Sequence, residues 1–462
     1  MAKVVPNLDE ILRLDRAHVI HPITEFRKQE KHGSKIFVGG RGIELKLADG
    51  RTVIDGFSGL WNISVGHGRR EIANAVASQM RKLAYYPSFW DFGNEPATRL
   101  AAKIVSLLPE DRRLNHVLFH CGGSEANEAN FRFARLYHGL RGKESKAKII
   151  SRHWAFHGVT RGAGTATSIL AYHMFVQQDP SHAYFAAPYC YRCEFGKTYP
   201  GCALECAQDL ETVIEQEGAD TVAAVVIEPV IGTGGVIASP PEYFGPIQEI
   251  CKRHDVLLIL DEVVTAFGRI GRWFAMEPWN IKPDLLTLAK GISSGYLPLS
   301  ASVMSDHVYE TIRDQLPEGL PMMFGLTYNN HPTCCAAGLA NIAIIEREGL
   351  VDNAREVGAY LLTCLRQAFG ASPIVGEIRG AGMTAAIEIV RDQTTKEPFP
   401  NFEDPPHIVA AAFQHGLIAR AMFQCVALAP PLICTKADID RIVGILQEVW
   451  PAAERDILAA SH

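Results

Sequence analysis

Val256-Leu257-Leu258-Ile259-Leu260-Asp261-Glu262-Val263 and Asp284-Leu285-Leu286-Thr287-Leu288-Ala289-Lys290-Gly291 are two apolar runs that each end on charged residues. Short runs dominated by Leu, Ile and Val read as strands buried on both faces, the mark of a parallel sheet in an α/β layer. Such sheets bind ligands beyond the carboxyl ends of their strands. Asp261 and Lys290 both stand where a strand runs out, so the pattern predicts that they face one crevice.

Outward from this pair the same alternation repeats. Val117-Leu118-Phe119, Lys148-Ile149-Ile150 and Ala223 to Ile227 are short apolar strands separated by helical patterns. That predicts βαβ units and a mostly parallel sheet over residues 65–335. No Gly-x-Gly-x-x-Gly follows the first strand, which argues against a dinucleotide site. Residues 1–64 read as an N-terminal arm and small sheet. Leu8, Ile11, Leu12 and Leu14 make a short amphipathic helix, and a meander covers 35–38, 43–47 and 52–55, with Asp49-Gly50 as a hairpin turn. Residues 336–462 read as an α+β layer. A long helix starts near Pro332 and runs through Ile345. Strands over 374–378 and 384–390, a helix over 407–415, strands over 417–420 and 426–428, and a final amphipathic helix over 437–450 follow.

Composition bounds the function classes. A chain of 462 residues has room for two or three domains and a large core. An apolar fraction of 47% with moderate charge marks a soluble globular protein rather than a disordered one. A net charge of −6 without a basic block argues against nucleic acid as a partner. No apolar run reaches the length of a membrane span, and Met1 to Glu10 lacks the apolar core of a signal peptide, so the expected location is cytosolic. There the 11 cysteines stay reduced. Cys190-x-x-Cys193 and Cys202-x-x-x-Cys206 suit either zinc or a packed Ω-type loop of free thiols; the second is the expectation, and no metal is assigned.

A carboxylate and an amine in one crevice suit pyridoxal phosphate chemistry. The amine condenses with the cofactor aldehyde, and the carboxylate keeps the pyridine nitrogen protonated so that the ring accepts electrons. On Asp261 and Lys290 alone, a structural ion pair is the simpler reading. Other segments add to them. His120-Cys121-Gly122-Gly123-Ser124-Glu125-Ala126-Asn127 follows a strand and opens a helix. Its glycines let backbone amides approach an anion, and the helix N-terminus adds partial positive charge; Ser124 is equally an ordinary N-cap. Glu228 ends a buried strand, where a carboxylate needs a hydrogen-bond partner. Val263 lies two residues past Asp261, on the same strand face. Arg420 is of the type that pairs with carboxylates in bidentate fashion.

Asp261 to Gly271 and Leu288 to Leu299 closely resemble the signature of the class III aminotransferases, also called omega-aminotransferases. The resemblance runs from about residue 20 to near the C-terminus, with several motifs in order. It implies an α/β, fold type I, pyridoxal phosphate-dependent enzyme. A large cofactor domain would cover 65–335, and a small α+β domain would cover 336–462 together with the sheet of 1–64. It implies that Asp261 pairs with the pyridine nitrogen. Lys290 would bind the cofactor aldehyde and, once displaced by the incoming amine, move the proton between substrate and cofactor carbons. Gly123 and Ser124 would hold the phosphate, although Cys-Gly-Gly-Ser stands here in place of the usual Ser-Gly-Ser. Phe156 replaces the tyrosine that usually stacks on the ring; it keeps the π face and loses the hydroxyl. His157 matches the motif, Val263 would press on the opposite ring face, and Glu228 would lie near the cofactor.

Phe324 to Pro332 resembles the segment whose threonine, here Thr327, reaches the phosphate of the partner subunit, which implies an obligate homodimer. Trp61 matches a position at the substrate entrance, and Phe89 and Trp90 a second aromatic cluster. Thr233 stands where many relatives have alanine. Arg420 matches an arginine that binds a substrate carboxylate and swings away for uncharged amines. The implied reaction moves an amino group from a primary amine or omega-amino acid to pyruvate, giving alanine and an aldehyde or ketone. Val264, where users of 2-oxoglutarate often carry glutamine, points to pyruvate, and taurine:pyruvate transaminases are close in pattern. The alternatives are a 4-aminobutyrate or acetylornithine-type 2-oxoglutarate aminotransferase, a mutase or decarboxylase on the same fold, and a non-catalytic zinc-loop protein.

Overall fold

The structure is a computed structural model and describes residues 7–399 and 404–460; Met1 to Pro6 of the N-terminal stretch read above lie outside it. Near the N-terminus β1 (Phe37–Arg41), β2 (Glu44–Leu47) and β3 (Thr52–Asp55) form the expected antiparallel meander. Then come β4 (Leu114–His120), β5 (Lys148–Arg152), β6 (His182–Phe185) and β7 (Val222–Ile227), a small hairpin of β8 (Val230–Ile231) and β9 (Ile237–Ala238), and β10 (Leu257–Asp261), β11 (Leu285–Leu288) and β12 (Ser300–Ser305). The C-terminal part contributes β13 (Val375–Gly380), β14 (Ala385–Ile389), β15 (Leu417–Ile418), β16 (Arg420–Met422) and β17 (Cys425–Leu428).

Seven strands form the central sheet, in the order β4-β12-β11-β10-β7-β5-β6. β11, β10, β7, β5 and β6 pair in parallel, and β12 runs antiparallel to both of its neighbours. Every residue of β7, β10 and β11 is buried, as their largely apolar runs require, with Asp261 and Thr287 as the polar exceptions. The sequence reading missed β6 and β12. Ser300-Ala301-Ser302-Val303-Met304-Ser305 is too polar to read as a central strand, yet all six residues are buried. Its serines succeed there because they have partners: Ser300 Oγ donates to Gly122 O at 2.8 Å, and Ser302 Oγ to Ala126 O at 2.9 Å. Both bonds fasten the start of helix Gly123–Leu140 to the sheet.

Two C-terminal expectations change. The strand expected over 417–420 breaks at Ala419. Leu417–Ile418 pairs with β3 in parallel, whereas Arg420–Met422 pairs with β17 in an antiparallel sheet ordered β13-β14-β17-β16. The chain therefore passes from one sheet to another just before Arg420. The last helix runs over Lys436–Ala460 and carries Pro451 inside it, past the expected end at Trp450. Its stripe of Leu446, Val449, Trp450, Ala453 and Ile457 stays buried, and that packing outweighs the local break. Among the described residues no helix is long and apolar enough to cross a membrane.

Candidate active site

β10 and β11 lie side by side, with Asp261 opposite Thr287. Asp261 is the last residue of β10, and Lys290 begins a short turn two residues after β11. Both side chains face one cavity of about 410 Å³, which sits beyond the carboxyl ends of the strands. Gly123, Ser124, Phe156, His157, Glu228, Thr233 and Val263 line the same cavity. Three loops from distant parts of the chain thus converge where the sheet ends.

The acid is held on three sides. Asp261 Oδ2 accepts from Asn127 Nδ2 at 2.8 Å and from His157 Nδ1 at 2.9 Å, while Oδ1 accepts from the Val263 amide at 3.0 Å. A carboxylate only accepts, so the imidazole proton lies on Nδ1. Asn127 is itself fixed: Thr287 Oγ1 donates to its Oδ1 at 2.7 Å, and its amide also donates to His157 O at 2.7 Å. All of these groups are buried, so orientation is imposed before any ligand arrives. His157 Nε2 is buried without a partner.

The amine is tuned by its surroundings. Burial, helped by the nearby guanidinium groups of Arg420 and Arg269, lowers Lys290 from 10.5 to about 8, against the opposing pull of Asp261 and Glu228. Its Nζ stands 5.3 Å from the centroid of the Trp61 ring. The guanidinium of Arg420 lies 5.8 Å from the same ring and 5.6 Å from that of Phe57. Burial lowers Arg420 below its ordinary value, and no carboxylate pairs with it among the described residues. The Lys290 amine and the Arg420 guanidinium thus both stand against the Trp61 indole.

At the opposite end of the cavity the helix Gly123–Leu140 presents its N-terminus. Gly122 takes the cap position without a side-chain cap bond, and Ser124, instead of capping, accepts the Val159 amide at 3.2 Å. A Cβ on Gly123 would lie 3.2 Å from Val263 Cγ2, so a larger residue here would crowd the valine side chain. Free amides at a helix N-terminus make an anion site.

Glu228 serves two loops. Its Oε1 accepts the Phe156 amide and its Oε2 the Gly232 amide, each at 3.0 Å. Burial pushes its carboxyl above the ordinary value. The Phe156 ring meets Tyr172 edge-on, at 5.4 Å between centroids. Asn127 was not assigned a role in the sequence reading, although its position four residues after Gly123 puts it on the same helix face. Arg269 was also missed. It is buried and donates to Pro430 O at 2.6 Å, Met383 O at 3.2 Å and Ser58 Oγ at 3.2 Å, with burial lowering it to about 10.

Trp61 and Arg420, expected at the substrate pocket, stand beside Lys290 without lining this cavity, and Thr327, Phe89 and Trp90 do not line it either. Thr327 is exposed, and its carbonyl accepts the Tyr85 hydroxyl. Phe89 packs on Gly325, two residues from Thr327. Trp90 is 83% exposed. The four thiols of residues 190–206 are free, and no described group of His, Cys, Asp or Glu is arranged to hold a metal ion.

Residues 27–450 match the family described as aminotransferase class-III. A diaminobutyrate–2-oxoglutarate transaminase of Halomonas elongata is 40% identical over 445 residues, 94% of this chain and 94% of its own. A taurine–pyruvate aminotransferase of Bilophila wadsworthia is 35% identical over 96% of this chain and 98% of its own. The crystal structure of an omega-transaminase from Pseudomonas jessenii in complex with PMP superposes with a TM-score of 0.92 at 32% identity, covering 97% of this chain and 99% of that one.

Proposed function

The chain belongs to the class III aminotransferases, pyridoxal phosphate-dependent transaminases of fold type I, and on that footing we propose that its acceptor is pyruvate and its donor a primary amine or omega-amino acid. The observation that carries the acceptor is Arg420, a half-buried guanidinium without a carboxylate partner among the described residues, against the same indole as Lys290. A desolvated, unpaired guanidinium is a receptor for a small carboxylate. Val264 and Thr233 on the cavity wall add no second cation for a dicarboxylate.

The residues present fit pyridoxal phosphate. Gly123 and Ser124 at the helix N-terminus would take the phosphate, Phe156 and Val263 the two ring faces, and Asp261 the ring nitrogen. Bound there, the cofactor supplies an electron sink for the carbon that loses or gains a proton. Asp261 would face the ring nitrogen, and Asn127 and His157 keep Asp261 in place. Lys290, with an amine that deprotonates near neutral pH, accepts and returns the substrate proton. Glu228 fixes the backbone behind Phe156 and Thr233. Trp61 and Thr233 bound the substrate space, and Arg420 orients the acceptor.

We also propose a homodimer in which Thr327 of each chain reaches the other chain's cofactor phosphate, with Phe89 and Trp90 at the pocket mouth. Thr327 lies outside its own cavity beside exposed Met323, Tyr328 and Trp90, an apolar surface suited to a second copy. A cytosolic location suits the 11 cysteines, all unpaired. The deciding experiment supplies the purified protein with a panel of amines and either pyruvate or 2-oxoglutarate. Alanine as the preferred product supports the reading; glutamate as the preferred product replaces it with a 2-oxoglutarate enzyme.

A further inference from the structure

We infer that Arg379, which does not line the cavity, is a positioning residue for substrate selection, because it holds the hairpin that carries Thr233. The inference rests on the reading of Thr233 as a pocket residue and adds what places it there.

Thr233 sits in the tight connection between β8 and β9. Its own backbone closes it, with Gly232 O accepting the Gly235 amide at 3.1 Å and the Val236 amide at 3.0 Å, and two side chains grip it as well. The Gly232 amide is held by Glu228, and the Gly235 carbonyl accepts Arg379 Nε at 2.8 Å. Gly235 has φ +118°, which glycine adopts freely, but the next residue, buried Val236, has φ +56°, a region that β-branched residues avoid. A Cβ on Gly235 would come within 2.8 Å of Arg379 Nη2, so the guanidinium lies directly on this backbone. A strained turn keeps its shape only when its surroundings over-determine it, and Arg379 is the contact on this side.

Arg379 is itself locked. Its Nη1 donates to Glu377 and to Glu388, its Nη2 to Cys425 Sγ at 3.2 Å, and its guanidinium lies 4.8 Å from the Tyr189 ring centroid. Glu388 is buried and also accepts the Tyr189 hydroxyl and Arg192 Nε. Two guanidinium groups thus face two carboxylates, which satisfies the buried charge. Nε is the one donor aimed at the hairpin. Lysine would keep the charge toward Glu388 but could not reproduce the fork, so Arg379→Lys separates charge from grip.

The test compares the wild-type holoenzyme with Arg379→Lys, Thr233→Ala and the double variant. Hydrogen exchange of the backbone over 232–236 is read first. Turnover of amines of increasing size with pyruvate is read second, as KM and kcat, alongside bleaching of the bound cofactor by each amine. The inference expects faster exchange confined to the hairpin in Arg379→Lys. It also expects a KM shift of about fivefold or more that depends on amine size, with kcat within about twofold, and no such shift when alanine already replaces Thr233. Unchanged exchange over 232–236, or an equal KM shift in the Thr233→Ala background, overturns it. Should no amine bleach the wild type, the aminotransferase reading fails, and the exchange measurement still decides the role of Arg379. Should Arg379→Lys not fold, Glu388→Gln, which removes the charge that orients the guanidinium, carries the same exchange readout with the same two outcomes.

Discussion

Nδ1 of His157 stands 2.9 Å from Oδ2 of Asp261, with both side chains buried and the second imidazole nitrogen of His157 left without a protein partner. A donor that orients a buried carboxylate fixes where that carboxylate points. Replacing His157 with alanine should therefore weaken cofactor retention and lower kcat by about 10- to 100-fold, because Asp261 loses one of the donors that orient it. His157→Asn, which can offer an amide donor near the same place, should recover part of the loss. The measurement is the rate of cofactor release on dilution together with turnover. Equal effects of the two substitutions would show that the hydrogen bond is irrelevant.

Lys290→Ala should abolish turnover while leaving the fold intact. No other amine is described on the cavity wall, so nothing can take over the proton transfer. The check is alanine formation from pyruvate alongside a circular dichroism spectrum. Retained turnover would falsify the assigned mechanism.

The depressed lysine gives a pH dependence with a definite sign. The folded protein releases the Lys290 proton near pH 8, whereas the unfolded chain keeps it to about 10.5. Below pH 8 the folded state without cofactor carries an unfavourable buried charge, and this penalty is lifted as pH rises from about 8 to about 10.5. Because only the neutral amine attacks an aldehyde, recombination of cofactor-free protein with pyridoxal phosphate should quicken about tenfold per pH unit below 8 and level off above it. A stopped-flow absorbance series reads this directly. A profile that keeps rising to pH 10 would place the amine in an ordinary, solvated setting.

Arg420→Ala should separate the two halves of the reaction. KM for pyruvate is expected to rise about 10- to 100-fold, because a bidentate charge-assisted pair is lost. The rate with an uncharged amine should stay within about twofold, since the guanidinium offers such a donor nothing. Half-reaction kinetics for each substrate provide the comparison. An equal loss in both halves would instead mean that Arg420 supports the pocket through its packing on Phe57 and Trp61.

Much of this site was legible because its parts end uninterrupted apolar runs. Asp261 and Lys290 close fully buried strands, and strand ends of a parallel sheet open on one side. Side chains whose setting depends on distant segments were not legible. Ser300 and Ser302 look like loop residues until Gly122 and Ala126 supply their acceptors. Arg269 looks like a surface charge, yet it ties together carbonyls more than 100 positions away. The same holds for Arg379, whose partner carbonyl on Gly235 lies 144 residues earlier. The break at Ala419 was hidden for a related reason. Leu417 to Arg420 has a uniform extended pattern, and only the competing edges of β3 and β17 divide it.

The register of β10 against β11 sets a tolerance for change in this enzyme. Asp261 faces Thr287, and only three peptide links lead from Thr287 to Lys290. One extra residue inserted in that short tether would turn the amine away from the acid and silence the protein. The long excursion from residue 262 to 284 tolerates no such simple rule, because Glu262 ties its far side back to the amides of Ala275 and Met276. Loop length can therefore change least where the chain runs between these two strand ends and the cavity.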